Sequence, residues 1–330
     1  MRMKCGGHRA VASALLLAIL TSTASACGQS PPPKRPARSI KSTPKTTGTA
    51  AIPAPPADRA TLTKLPRAGL PLVTVKVKGK TTLALFDTGA TAHLLSKRFL
   101  ATINAKVEST GGNDAVDHNG KIFRLEKVRA PIRIEGFSHD EKGDLFAADL
   151  PKSLHEVGVG AIVSPSLLAG SGERVEIDFR ENVVLRTKSA TGESKDNVVL
   201  AEELCKDESG GKLYGLSAMI GQAGGMPSLV RLLVDSGSDR SDLFKDGPKG
   251  KTLLPLVTSS RKATVATGEA KAKTVDDIEV RVGAWKWLLD LDLIGGAGDP
   301  GCPRDGVLGM DALSRCKLVM QSGELSVSCD

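Results

Sequence analysis

Four landmarks in this 330-residue chain recur at a nearly constant distance. Asp87-Thr88-Gly89, which ends the apolar run Leu83-Ala84-Leu85-Phe86, returns 148 residues later as Asp235-Ser236-Gly237 behind Leu232-Leu233-Val234. Gly120 in Asp117-His118-Asn119-Gly120 returns at the same offset of 148 as Gly268 in Ala266-Thr267-Gly268-Glu269. Gly136, after Pro131-Ile132-Arg133-Ile134-Glu135, returns at 147 as Gly283, after Ile278-Glu279-Val280-Arg281-Val282. Gly160-Ala161-Ile162-Val163 returns at 146 as Gly306-Val307-Leu308-Gly309. A repeat this long is a domain and not a solenoid period, so the chain reads as one unit of about 120 to 130 residues used twice.

Each triplet puts a carboxylate just past a buried strand, on a turn that glycine makes possible. One Asp-Ser/Thr-Gly is a weak signal, present by chance in about one chain in ten of this length, and a strand-ending turn accounts for it. Two of them, each behind an apolar strand, have a chemical reading. Two carboxylates brought together share one proton, so that one accepts a proton from water while the other donates to a carbonyl.

The periodicity within the repeats is that of strands. Val73, Val75 and Val77 alternate with Thr74, Lys76 and Lys78, and the turn Lys78-Gly79-Lys80 leads into the strand that ends at Asp87. Asn119-Gly120 is the strongest hairpin dipeptide in the chain, and Ser322-Gly323 is another. Helices are predicted to be few and short, near 96–103 and 310–315. Both repeats are therefore expected to be all-β.

A strand ending in Asp-Thr/Ser-Gly-Ala/Ser, a glycine-tipped hairpin further on, and Gly-aliphatic-aliphatic-Gly before a short helix resemble the pepsin and retropepsin aspartic proteases. The second repeat matches with Asp235-Ser236-Gly237-Ser238 and Asp305-Gly306-Val307-Leu308-Gly309. The first carries Asp87-Thr88-Gly89-Ala90, close to the retropepsin form, with Val163 where the family has its second glycine. The only tyrosine, Tyr214, lies in neither hairpin tip. The resemblance therefore leans toward retropepsins, whose flap acts through backbone and apolar contacts. It implies two homologous acid-protease-like β-barrel lobes, 67–192 and 193–330, with the active-site cleft between them. It also implies Asp87 and Asp235 as the catalytic pair and Thr88 and Ser236 as braces between lobes. Gly89 and Gly237 allow close backbone approach, and Ala90 and Ser238 complete the motifs. The hairpin at His118, Asn119 and Gly120, with Gly268 at the tip of its counterpart, is expected to close over an extended polypeptide substrate. No cofactor is implied.

Residues 1–26 read as a signal peptide: Arg2, Lys4 and Arg9 precede the apolar stretch 11–20 and the small-residue cleavage site Ala24-Ser25-Ala26. Cys27 directly follows, which resembles bacterial lipoproteins, where that cysteine is lipidated and anchors the chain to the membrane. An ordinary secretory cleavage at the same bond is the alternative. Residues 27–66 are rich in Pro, Thr, Ala, Lys and Arg, cannot bury a core, and are expected to form a disordered tether. The leader and tether account for the formal charge of +8, because they hold ten Lys or Arg against one Asp. The two repeats keep 35 basic and 36 acidic residues, which removes the electrostatic case for nucleic acid.

Besides Cys5 and Cys27 the chain has Cys205, Cys302, Cys316 and Cys329, an even number suited to an oxidising compartment. Three pairings are possible. Cys316 and Cys329 are equidistant from Ser322-Gly323, which favours Cys316–Cys329 with Cys205–Cys302. No close cysteine pair or histidine cluster has metal-ligand spacing. His93, His118, His139 and His155 are scattered and are expected at surface or hairpin positions. Trp285 and Trp287 alternate on one strand as packing residues. The reading is an exported aspartic endopeptidase; the alternative is an inactive envelope lipoprotein that uses the cleft as a peptide-binding groove.

Overall fold

Alternating valines give the strand Pro71–Val77 one buried face, and the chain reverses through Lys78 and Gly79, both at positive φ (46° and 83°), into the strand Lys80–Phe86. Val77 pairs with Lys80, as a two-residue hairpin loop requires. The computed structural model in which this is seen describes residues 58–330 apart from 67, 117–121, 142–143, 171, 189–197, 208–209, 223–224, 266–267, 297 and 300, together with the short strand Ala12–Ser13. The described chain is mostly β.

In the first half the strands lie in the order Val107–Val116, Ile122–Val128, Leu145–Ala148, His93–Ser96, Val159–Val163, Lys80–Phe86, Pro71–Val77. In the second half the order is Ser259–Val265, Gly268–Val282, Trp285–Ile294, Asp242–Phe244, Gly306–Leu308, Ser228–Val234, Lys212–Gln222. The two series share their directions. The third strand runs parallel to the fourth and the fifth to the sixth, while the remaining neighbours are antiparallel. In the second series Gly268–Val282 also pairs with Lys212–Gln222, which closes six strands into a barrel. The corresponding stretch of the first series is broken, and its separate piece Ile132–Ile134 pairs with Pro71–Val77.

The halves are joined by a further run of antiparallel strands: Val199–Lys206, Glu324–Cys329, Cys316–Gln321, Glu173–Asp178, Val183–Lys188 and Asp58–Thr61. The expected boundary at 192/193 falls among residues outside the description. It is not a packing boundary, because strands from before and after it lie side by side. The disordered tether expected over 27–66 does not hold for 58–61 and 63–64, which are strand. Asp58–Thr61 pairs with Val183–Arg186, and Thr63–Lys64 pairs with Pro71–Leu72. Arg186, 5 % exposed, holds the first of these strands by donating to Asp58 at 2.7 and 3.0 Å, and it also reaches Glu141 at 2.7 Å. An edge strand fixed by backbone pairing and one ion pair needs no apolar pattern, which is why its composition reads as tether. Cys27, the cleavage site and the rest of 27–57 lie outside the described residues.

The expected short helices occur at Lys97–Ile103, capped by Ser96 Oγ accepting the Phe99 N–H at 3.0 Å, and at Met310–Leu313. Two more, Lys152–Glu156 and Pro248–Leu253, had no clear sequence signal. Cys316 and Cys329 stand opposite each other in register across the Ser322-Gly323 turn and are bonded, as are Cys205 and Cys302. Both disulfides point to an oxidising, exported environment. Among the described residues no helix is long and apolar enough to cross a membrane.

Candidate active site

Two parallel strand pairs position the two triplets. Val163 lies beside Phe86 and Leu308 beside Val234. Just past each pairing the backbone turns: Asp87 N–H donates to Val163 O at 2.9 Å, and Asp235 N–H to Leu308 O at 3.1 Å. These bonds make Val163 the counterpart of Leu308, so the counterpart of Gly309 is Ser164 and not Val163. The sequence register slips because the Val159–Val163 strand shifts its pairing between Val159 and Ala161, leaving Gly160 as an extra bulged residue. A methyl group on Gly309 would lie 2.5 Å from the Arg240 backbone and 3.0 Å from Ser238 O. Ser164 fits in the first half, and its Oγ donates to Ala90 O at 2.6 Å.

The two turns hold each other through four reciprocal hydrogen bonds. Thr88 N–H donates to Ser236 Oγ (3.0 Å) and Ser236 N–H to Thr88 Oγ1 (2.9 Å). The hydroxyls pass their own protons onward, Thr88 to Val234 O (2.8 Å) and Ser236 to Phe86 O (2.6 Å). All four groups are buried, so each lost bond would leave an unsatisfied polar atom away from water. Threonine and serine serve equally here because the hydroxyl must donate and accept at once.

Each carboxylate accepts the N–H two residues on, Asp87 Oδ1 from Gly89 and Asp235 Oδ1 from Gly237, both at 2.8 Å. Each also rests on the opposite glycine. A Cβ on Gly89 would stand 2.6 Å from both Asp235 oxygens, and one on Gly237 would stand 2.6 Å from both Asp87 oxygens. Asp87 and Asp235 have no exposed surface. Burial pushes the Asp87 carboxyl well above the usual carboxylate range; the Asp235 charge and the hydrogen bond between the two acids add to this, against donation from Gly89 and Gly237 N–H. The pair is thus built to hold a proton between two carboxylates. Ala90 and Ser238 finish the turns, their N–H groups donating to Asp87 O and Asp235 O at 3.3 Å.

Behind the turns, His93 and Ser241 take corresponding places. His93 Nδ1 accepts the Ser164 N–H at 3.2 Å, and Ser241 Oγ accepts the Gly309 N–H at 3.0 Å. Ser241 is in turn fixed by Asp311, to which its N–H and Oγ donate at 3.0 and 2.7 Å. The surface or hairpin position expected for His93 is therefore wrong: it is fully buried, and a neutral ring accepting at Nδ1 carries its proton on Nε2. Its separation of 148 from Ser241 was the available signal. Asp239 was also missed. It is buried one residue past Ser238, 4.0 Å from Arg261, which itself pairs with Asp292. Burial pushes Asp239 up to about 7 despite Arg261.

His118, Asn119 and Gly120 lie outside the described residues, although the flanking strands Val107–Val116 and Ile122–Val128 pair up to Val116 and Ile122. Gly268 opens its strand and pairs with Val265, with the tip 266–267 outside the description. The Tyr214 hydroxyl donates to Gly323 O at 3.0 Å. Trp285 and Trp287 are buried together, ring centroids 6.2 Å apart. No family model and no curated protein matches this chain.

Proposed function

We propose that the protein is an aspartic endopeptidase in which Asp87 and Asp235 hold and activate the attacking water. The observation that carries this reading is the crossing of the two turns, which stacks each carboxylate on the opposite glycine. With one proton on the pair, the ionised carboxylate takes a proton from water as the oxygen attacks the peptide carbonyl. The protonated one donates to the carbonyl oxygen, giving a tetrahedral diol. Return of a proton to the amide nitrogen then releases the amine, and no covalent intermediate or cofactor takes part. The raised pKa of Asp87 supports retention of that shared proton over the acidic range.

In this reading the two strand series are two lobes of one ancestral unit, and an extended polypeptide lies between them. The hairpin tips expected at 118–121 and 266–269 would close over that substrate, excluding water and adding strand-like hydrogen bonds. Export, a lipid anchor at Cys27 and a basic tether running to residue 57 would hold the enzyme near an anionic membrane surface.

The test is a peptide-library digest with wild type, Asp235→Asn and Asp87→Asn across pH. Each substitution keeps the turn's size and hydrogen bonding and removes one titratable proton. Wild type should cleave, and each folded variant should lose activity by about 10²–10⁴-fold or more. Cleavage surviving in either folded variant would assign the activity elsewhere. No cleavage by wild type at any pH would favour a peptide-binding groove.

A further inference from the structure

The strand Ser259–Val265 lies at the end of its sheet, and among the described strands it pairs only with Gly268–Val282. Arg261 ties it to the rest of the second half. Its Nε donates to Asp292 Oδ2 at 2.8 Å and its Nη2 to the same oxygen, while Thr274 Oγ1 donates to Asp292 Oδ1 at 2.8 Å. Asp292 belongs to the strand Trp285–Ile294, and its own N–H donates to Ser241 O at 3.2 Å. The guanidinium is therefore anchored beside the segment that follows the Asp235 turn.

One arm of Arg261 is unused. Its Nη1 is buried with no hydrogen-bond partner, and so are both carboxyl oxygens of Asp239. Arg261 Nη2 stands 4.0 Å from Asp239 Oδ1, near enough for charge attraction and beyond hydrogen-bond reach. A neutral carboxyl tolerates that gap, whereas a buried carboxylate without a hydrogen bond is costly. Four charged groups face Asp239: Arg261 from the hairpin, Arg240 beside it, Asp292 from Trp285–Ile294 and Asp311 from the helix Met310–Leu313. Burial raises the Asp239 carboxyl to about 7 against the two arginines, with the two acids adding to the rise. It is thus neutral in acid and ionised above neutral pH.

We propose that Asp239 and Arg261 form a proton-controlled latch between the 259–282 hairpin and the segment behind the Asp235 turn. While Asp239 keeps its proton, Arg261 serves Asp292 alone. Once that proton passes to solvent, the guanidinium turns its unused arm to Asp239, bridges both carboxylates and clamps the hairpin down. The consequence for cleavage rests on the protease reading: the hairpin is free to open for substrate in acid and is held shut above neutral pH. The latch itself does not depend on that reading.

Hydrogen exchange of the full, substrate-free protein, followed by mass spectrometry from about pH 5 to about pH 9 and corrected for intrinsic amide rates, tests the latch. With the 71–86 hairpin as internal reference, the amides of 259–265 should gain about tenfold in protection, the scale of one hydrogen bond to a charged group. The midpoint should lie near pH 7. Asp239→Asn, neutral at every pH, should abolish the step, and so should Arg261→Gln. A flat wild-type profile overturns the latch without recourse to any variant, and a step that survives in either folded variant overturns it as well. No cleavage enters the measurement, so a failed latch is told apart from a failed protease reading.

Discussion

Asp239 shows how one buried acid near the site sets a pH dependence of stability. Its carboxyl is pushed up to about 7 in the folded protein, against about 3.9 when unfolded. Between those values the folded state binds more protons than the unfolded one, so stability falls as pH rises. The contribution is fully present below about pH 4 and lost through about pH 7. Asp239→Asn removes it. Urea unfolding should show a shallower decline from acid to neutral pH than in wild type, with the variant the more stable protein above pH 7 and little difference near pH 4. Some slope should remain, since burial also raises Asp87 and Asp311. An unchanged slope would mean that the Asp239 carboxyl titrates alike in the folded and unfolded protein.

The disulfides belong to the scale of elements. Cys316–Cys329 staples a hairpin across 13 residues, where backbone pairing already holds both strands. Cys205–Cys302 spans 97 residues and ties the strand Val199–Lys206 to the segment that leads into the strand Gly306–Leu308. Loop-closure entropy gives about 3 kcal/mol for the short loop and about 4.7 kcal/mol for the long one. The double replacement Cys205→Ser with Cys302→Ser should therefore destabilise more than Cys316→Ser with Cys329→Ser, as read from urea midpoints. The reverse order would show that strain or residual unfolded structure dominates. The same scale explains the active-site register. A single bulged residue, Gly160, moves every later partner in its strand by one and exchanges Val163 for Ser164 beside the turn.

On the scale of the whole molecule the joining sheet makes the two halves dependent on each other. Cys316–Gln321 pairs with Glu173–Asp178, so a chain cut in the 189–197 segment leaves each half with an unpaired strand edge. Residues 27–192 and 193–330 produced separately should give weakly structured or aggregating products, while co-expression should recover one complex with native circular dichroism. Size-exclusion chromatography distinguishes these outcomes. Two independently folded monomers would show that the lobes are held only by the chain between them.

Much of the site was legible because it depends on short-range chemistry. The Asp-Thr/Ser-Gly triplets behind apolar strands, the Lys78-Gly79 and Ser322-Gly323 turns, the short helix near 96–103 and the symmetry of Cys316 and Cys329 about a turn are all local, and the sequence alone determined them. What only the tertiary structure decided lies in pairings between residues distant in the chain. Asp58–Thr61 joins a sheet through backbone bonds and Arg186, and neither leaves an apolar pattern. His93 is buried because Ser164 needs an acceptor there. Arg304 looks like any surface arginine until the fold buries it beside Phe244. Such positions are set by hydrogen bonds and ion pairs whose partners the linear order does not bring together, so no spacing rule marks them in advance.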